Sequence, residues 1–324
     1  MESRGALRTS SEKAVEYKVG MIVEHPKCPE WGLGKIVHIS GETLYIYFCN
    51  QSEREAKKIR CDVISLKKAN SQSDPTLDNL PPFAQKGDLW VLPGRGRRIT
   101  FEQAREAFLH WFPRGFSDPD YLEKERDYKW EAHQHFVQQL GRKRAEKLLA
   151  DGNVDELTRR ALFVVHKVNL LSPYESAALN DAMKDPVAAR AFFESLLNLL
   201  SASTDLAESF RAYAAVVCEL PQKKGRVATW PVATILPFLA QPNRHMFLKP
   251  EFTQEAAERL GFGLLYDSKP NWTTYDRLLR LGRHYLSLLV ESGARDFIDV
   301  QSFIWLACGG AEALAIKKAE KPQC

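Results

Sequence analysis

Asp120, Asp127 and Lys129 come closest in this chain to the parts of a hydrolytic site. Carboxylates that hold Mg²⁺ and a lysine that assists the attacking water are what metal-dependent phosphodiester cleavage needs. Asp118-Pro119, however, reads as a helix start, which sets all three residues on one helix, whereas that arrangement is carried by strands. His133 and His135 are two apart on the same predicted helix and project roughly 200° from one another, so they do not share a metal. His133 falls in a stripe with Trp130, Val137 and Leu140 and reads as a core-edge residue, as do His110 and His166. Serine, histidine and aspartate are all present, but no G-x-S-x-G elbow organises them. No catalytic residue, metal ligand or cofactor site is assigned. A hydrolase or metal-dependent nuclease site inside the helical half stays as the enzymatic alternative.

The residues suited to contact are better organised. If 43–48 is a strand, Leu44, Ile46 and Phe48 share one face, and Tyr45 and Tyr47 share the other. Two aromatic rings on the side away from the core could stack on bases or clamp a peptide, or simply pack across strands. Trp31 either covers the end of the small sheet domain or offers a flat ring to a ligand. Lys57, Lys58 and Arg60 make a short basic edge, suited to phosphate or an acidic partner, or to keeping an edge strand solvated. Further on, Arg277, Arg280 and His284 are expected on one face of a helix, opposite Leu278, Tyr285 and Leu289. Arg142-Lys143-Arg144, Arg159-Arg160 and Lys223-Lys224-Gly225-Arg226 add basic clusters. Trp305, with Phe303, Ile304 and Leu306, reads as core.

The elements that must position these residues follow from patterning. Residues 17–68 show five short β-prone runs: 21–23, 35–39, 43–48, 57–61 and 63–66. So many strands in so short a span predict a small, strongly bent barrel. Gly32 and Gly34 lead into the second run and are assigned to the turn, through positive φ and close backbone approach. They do not cradle a phosphate, because a dinucleotide loop opens a helix and this one opens a strand. Residues 69–98 are rich in Asn, Ser, Gln, Asp and Pro and read as a linker that ends in the basic run 94–98, with a short extended piece at 88–92.

From residue 99 the pattern is helical. Thr100 with Gln103, and Ser172-Pro173 with Glu175, are capping boxes, and Asp185-Pro186 repeats the device. Helices are expected near 101–112, 120–140, 142–150, 154–168, 205–219, 231–240, 253–260, 273–291 and 298–308, with others following Ser172 and Asp185. The expected organisation is a flexible tail (1–16), a five-stranded barrel (17–68), a linker (69–98), an all-α domain (99–316) and a C-terminal tail (317–324). The fold class is α+β.

Composition narrows the partners. Lysine and arginine total 45 against 41 aspartates and glutamates, so any nucleic-acid surface must be a local patch and not a global field. The six cysteines are scattered with no C-x-x-C pair, which predicts reduced thiols and a cytoplasmic location. No apolar run approaches the roughly 18 residues of a membrane span.

The string Val19-Gly20-Met21-Ile22-Val23-x-His25-Pro26, continued by Pro29-Glu30-Trp31-Gly32-x-Gly34-x-Ile36-Val37, resembles an uncharacterised bacterial domain family of tudor-like (SH3-like) barrels. It is more distantly similar to the tudor-like module at the end of UvrD-type helicases and to the RNA-polymerase-interacting module of CarD-type transcription factors, with a longer link between His25 and Gly32. The resemblance implies a docking module for a polymerase, another protein or nucleic acid, and no catalysis. The expectation is a non-catalytic adaptor that binds nucleic acid, or a nucleic-acid-processing complex, through the barrel and the basic helical surfaces. Its contact residues would be Trp31, Tyr45, Tyr47, Lys57, Lys58, Arg60, Arg277 and Arg280. A protein-protein scaffold without nucleic-acid contact is the other alternative.

Overall fold

The computed structural model describes residues 16–51, 54–78, 80, 82–92, 99–202, 205–223 and 225–306. Residues 1–15 of the expected N-terminal tail, the C-terminal tail, the basic run 94–98, Lys224, Cys308 and Cys324 lie outside the described residues. The chain divides into two compact units, Met1–Pro93 and Gly94–Cys324.

The first unit is a five-stranded antiparallel sheet: β1 (Ile22–Glu24), β2 (Leu33–Ser40), β3 (Thr43–Phe48), β4 (Lys57–Arg60) and β5 (Lys67–Lys68), in the order β4-β3-β2-β1-β5. Among the described residues no ladder joins β4 to β5, so the sheet bends without closing into a hydrogen-bonded barrel. The fifth strand forms at Lys67–Lys68, beyond the expected 63–66, and Leu66 instead turns into the core. That core holds Val23, Ile36, Leu44, Ile46, Phe48, Ile59 and Leu66.

Residues 69–92, expected as a linker, build a second layer. They contain α1 (Pro75–Asp78) and the hairpin β6 (Ala84–Lys86) and β7 (Leu89–Val91). Gln72 accepts from the backbone of Ile22 at 3.0 Å and donates back to its carbonyl at 2.9 Å. Lys35 donates to the Leu77 carbonyl, and Ala56 N–H to the Trp90 carbonyl. A segment rich in Asn, Ser, Gln and Pro satisfies polar groups at the sheet's rim through the Gln72 side chain and the Leu77 and Trp90 carbonyls, tertiary contacts that composition does not signal.

The second unit is all helix. Its elements are α2 (Phe101–Trp111), α3 (Pro119–Tyr121), α4 (Asp127–Leu140), α5 (Arg142–Ala150), α6 (Val154–Val165), α7 (Pro173–Ala182), α8 (Pro186–Ser201), α9 (Leu206–Glu219), α10 (Trp230–Ala240), α11 (Pro250–Arg259), α12 (Trp272–Leu289) and α13 (Phe297–Trp305). The predicted starts are made as written. Thr100 and Gln103 exchange both capping hydrogen bonds, as do Ser172 and Glu175, and Asp185 accepts from Val187 and Ala188. Every residue of α10 is buried, the mark of a helix enclosed on all sides. Between α3 and α4 the residues Leu122–Arg126 form a π-turn, and both Glu125 and Arg126 are buried there.

His245, buried beside α12 with Nδ1 2.9 Å from the Tyr275 hydroxyl, makes one part of this core pH-sensitive. Burial, helped by the charge of Arg244, lowers its pKa from 6.5 to about 3. The unfolded chain therefore binds a proton that the folded chain refuses between those values, so stability is complete above pH 6.5 and falls as the pH drops towards 3. Urea midpoints measured across this window are expected to fall with acidity, with a shallower slope in His245→Gln.

Candidate functional site

On the sheet unit, strand register decides which residues meet. Val23, Gly34 and Phe48 stand in one row on the core face, and Ile22, Lys35 and Tyr47 stand in the neighbouring row on the opposite face. A bulge between Ile36 and His38 then inserts one residue into β2 and brings His38 into line with Tyr45 and, across β3, with Lys58. Trp90 of the hairpin stacks on His38 at 4.0 Å with the rings 20° apart, and Tyr45 meets Trp90 edge-on at 6.4 Å. Lys58 Nζ sits 5.8 Å from the centre of the Tyr45 ring. His38, Tyr45 and Trp90 are half-buried and Lys58 is exposed, so the four form an aromatic ledge with a cation at its edge.

Trp31 is placed elsewhere. It packs on His25 at 4.8 Å and on Phe48 at 5.1 Å, at the rim of the core, with Lys57 Nζ 4.8 Å from its ring. Residues facing alternate sides of one strand cannot join a single patch, so Trp31–Lys57 and Tyr45–Lys58 are separate. Gly32 and Gly34 serve the turn by different means. Gly32 has φ +72°, while Gly34 lacks positive φ and is required because a Cβ there would lie 2.6 Å from Phe48.

Two expected contact residues, Tyr47 and Arg277, are corrected. Tyr47 is fully buried, against Phe83 at 5.6 Å, because residues 69–92 cover the face it was expected to expose. Arg277 is also buried: its Nε donates to the Gly263 carbonyl at 2.8 Å and its guanidinium lies over Phe262. Arg60 is exposed but forms ion pairs with Asp62 and Glu42, which hold its charge along the strand edge. Arg280 stays partly exposed and pairs with Asp276. In the helical clusters Arg142 pairs with Glu146, and Arg159 and Arg160 with Glu156, while Arg144 and Arg226 donate to backbone carbonyls.

The nuclease-like residues are not brought together. Asp120 pairs with Lys124 on the surface, whereas Lys129 is buried and donates to Glu125 at 3.1 Å and to Ser302 at 2.9 Å. Burial pulls the Lys129 ammonium below its ordinary pKa, and the Glu125 charge opposes that pull. The stripe proposed for His133 is also rotated. The buried side of α4 is Lys129, Ala132, Phe136 and Leu140, while Val137 is exposed and His133 reaches the Leu239 carbonyl at 2.7 Å.

Below Lys129 lies an ionic network. Arg126 donates to Asp296 at 2.7 and 2.9 Å and to Asp299 at 2.7 Å, and the Tyr121 hydroxyl donates to Asp299 at 2.5 Å. Arg295 reaches the other Asp299 oxygen through its backbone N–H and its Nε. Burial works against the Arg126 charge, but its hydrogen bond to Asp296 and the two carboxylates outweigh that and raise its pKa. Burial, reinforced by Asp299, raises the Tyr121 pKa well above the usual phenol value. Beside the network is a cavity of about 270 Å³, whose lining includes Lys124, Glu125, Tyr128, Lys129, Lys249, Phe252, Gln301 and Trp305. Trp305, expected in the core, is thus half-buried at a cavity wall.

Trp90, His38 and the cavity residues were missed. The β-prone run Leu89-Trp90-Val91 signals a strand, and a tryptophan on a two-stranded hairpin is a signal of partial exposure. Nothing local marks Gln301 or Lys249, because their meeting depends on how the helices pack.

Among the described residues no helix is long and apolar enough to cross a membrane, and Cys28, Cys61 and Cys218 are free thiols. Nothing among the curated proteins or the solved structures matches the chain. Residues 18–69, the five-stranded sheet, match the model of a family described as a protein of unknown function (DUF3553).

Proposed function

We propose that the chain is a non-catalytic adaptor whose sheet unit docks onto single-stranded nucleic acid, alone or within a complex that processes it. The observation that carries this reading is the ledge of His38, Tyr45 and Trp90 with Lys58 at its edge. Bases stack on half-exposed rings whatever their sequence, and a neighbouring lysine neutralises phosphate. Among the described residues Lys58 has no carboxylate partner, unlike Arg60, Arg142, Arg159, Arg160 and Arg280. The resemblance of 17–68 to tudor-like docking modules agrees with this placement. Trp31 and Lys57, on the other face, are left to a second contact such as a protein partner.

The test is fluorescence anisotropy of a labelled single-stranded oligonucleotide with the full-length chain. Trp90→Ala is expected to weaken binding by at least about fivefold, the lower end of what one stacked base contributes. Lys58→Glu is expected to weaken it too and to flatten its salt dependence. Binding that ignores salt and both substitutions would sink the proposal. A stable protein partner recovered after nuclease treatment, with no oligonucleotide binding, would favour the scaffold alternative.

A further inference from the structure

The cavity of the helical unit lies between the π-turn with α4, the start of α11, and α13, and plays no part in the docking ledge. Pockets for drug-sized ligands begin at about 300 Å³, so this one suits a single planar ring system. Tyr128, Phe252 and Trp305 supply aromatic wall, with Phe252 and Trp305 edge to face at 6.5 Å. Two polar side chains stand beside them. Gln301 lines the cavity with its Oε1 buried and accepting no hydrogen bond, an unfavourable state that a turn of the amide towards a ligand donor would relieve. Lys129 uses two of its three N–H donors on Glu125 and Ser302, and Ser302 adjoins Gln301 on α13.

Charge at the wall is already balanced. Lys124 pairs with Asp120, Lys129 with Glu125, and Lys249 with Glu175. A simple anion would compete with three carboxylates, so the cavity is built for a neutral ligand. An unmet acceptor, a fixed donor and aromatic walls together describe the edge and the faces of a heterocycle.

We propose that this cavity binds one nucleobase-like heterocycle, neutral and planar, with an N–H donor next to a carbonyl or ring-nitrogen acceptor. On binding, the Gln301 amide turns to accept from the ligand's donor, the third N–H of Lys129 turns to its acceptor, and the ring lies against Trp305 and Phe252. Such a base comes either from a free nucleoside or from a nucleotide turned out of a strand.

The full-length protein is titrated by calorimetry with adenosine, guanosine, cytidine and uridine, and with ribose 5-phosphate as the charge-only probe. At least one nucleoside is expected to bind saturably and ribose 5-phosphate is not. Gln301→Leu is expected to weaken nucleoside binding by at least about tenfold, since a pocket that loses a required hydrogen-bond partner discriminates by that much or more. Thr253→Met, which fills the cavity from α11, is the second variant if Gln301→Leu melts early. Trp90→Ala leaves nucleoside binding unchanged, which separates this proposal from the docking reading. In that Trp90→Ala protein, an oligonucleotide that competes with the nucleoside identifies a strand as the source, and one that does not identifies the free nucleoside. The proposal is overturned if no nucleoside binds at millimolar concentration, if ribose 5-phosphate binds as well as the nucleosides, or if a well-folded Gln301→Leu or Thr253→Met protein binds as the parent does.

Discussion

Asp299→Ala is expected to destabilise the helical unit by about 3–5 kcal/mol, the usual consequence of removing one partner from a buried ion pair. Asp299 is fully buried and accepts from Tyr121, Arg126 and Arg295 at once. Its loss leaves the Arg126 guanidinium with Asp296 alone and the Tyr121 hydroxyl with no acceptor at that carboxylate. The penalty lies in buried donors that lose their shared acceptor, and a second substitution shows how far they are coupled. Arg126→Met combined with Asp299→Ala is expected to lose less than the sum of the single changes. Urea denaturation followed by far-ultraviolet circular dichroism reads this unit, which supplies the helical signal. Equal and additive losses would mean that the network is not energetically coupled.

Gly34→Ala is expected to destabilise the sheet unit by about 1–3 kcal/mol through overpacking. An added Cβ would lie 2.6 Å from Phe48 Cε1 and 2.7 Å from Ile46 Cγ2, and both side chains are fully buried. Phe48 cannot yield freely, because Trp31 packs on it from the other side at 5.1 Å. Gly41→Asn is the control: Gly41 has φ +57° with open space around it, and asparagine tolerates that conformation. Thermal melts followed by tryptophan fluorescence should show an early sheet transition in Gly34→Ala and almost none of that shift in Gly41→Asn. Matching melts would place the glycine requirement in the turn alone.

Much of the fold was legible because its signals are local. The alternation from Thr43 to Phe48 is a strand, and the Thr100, Ser172 and Asp185 starts bind the first turns of their own helices. Burial was legible only where a single face decides it. Tyr47 follows the period correctly and still ends up inside, because a polar segment some thirty residues later covers the second face. Arg277 was set on a charged face, yet its guanidinium reaches a backbone carbonyl and a ring in the loop after α11. Long basic side chains bury when a fixed acceptor waits for them, and the identity of that acceptor is a tertiary fact.

The π-turn shows the same limit at closer range. Consecutive residues of a regular helix lie about 100° apart, and the π-turn over Leu122–Arg126 alters the direction in which the buried Glu125 and Arg126 project. The Glu125–Lys129 pair has the i,i+4 spacing of any helix, but nothing in the sequence marks Leu122–Arg126 as irregular or the pair as buried against Ser302.

The cover of residues 69–92 also sets how this module can be borrowed. The segment carrying the recognisable signature ends at residue 69, before Leu77, Phe83 and Trp90. A graft or a truncated gene cut at that point would bare Ile22 and Tyr47 to water and remove half of the aromatic stack on His38. The shortest transferable piece is therefore longer than the stretch that identifies it, and it runs on through Leu92, whose N–H donates to the Arg54 carbonyl and closes the layer.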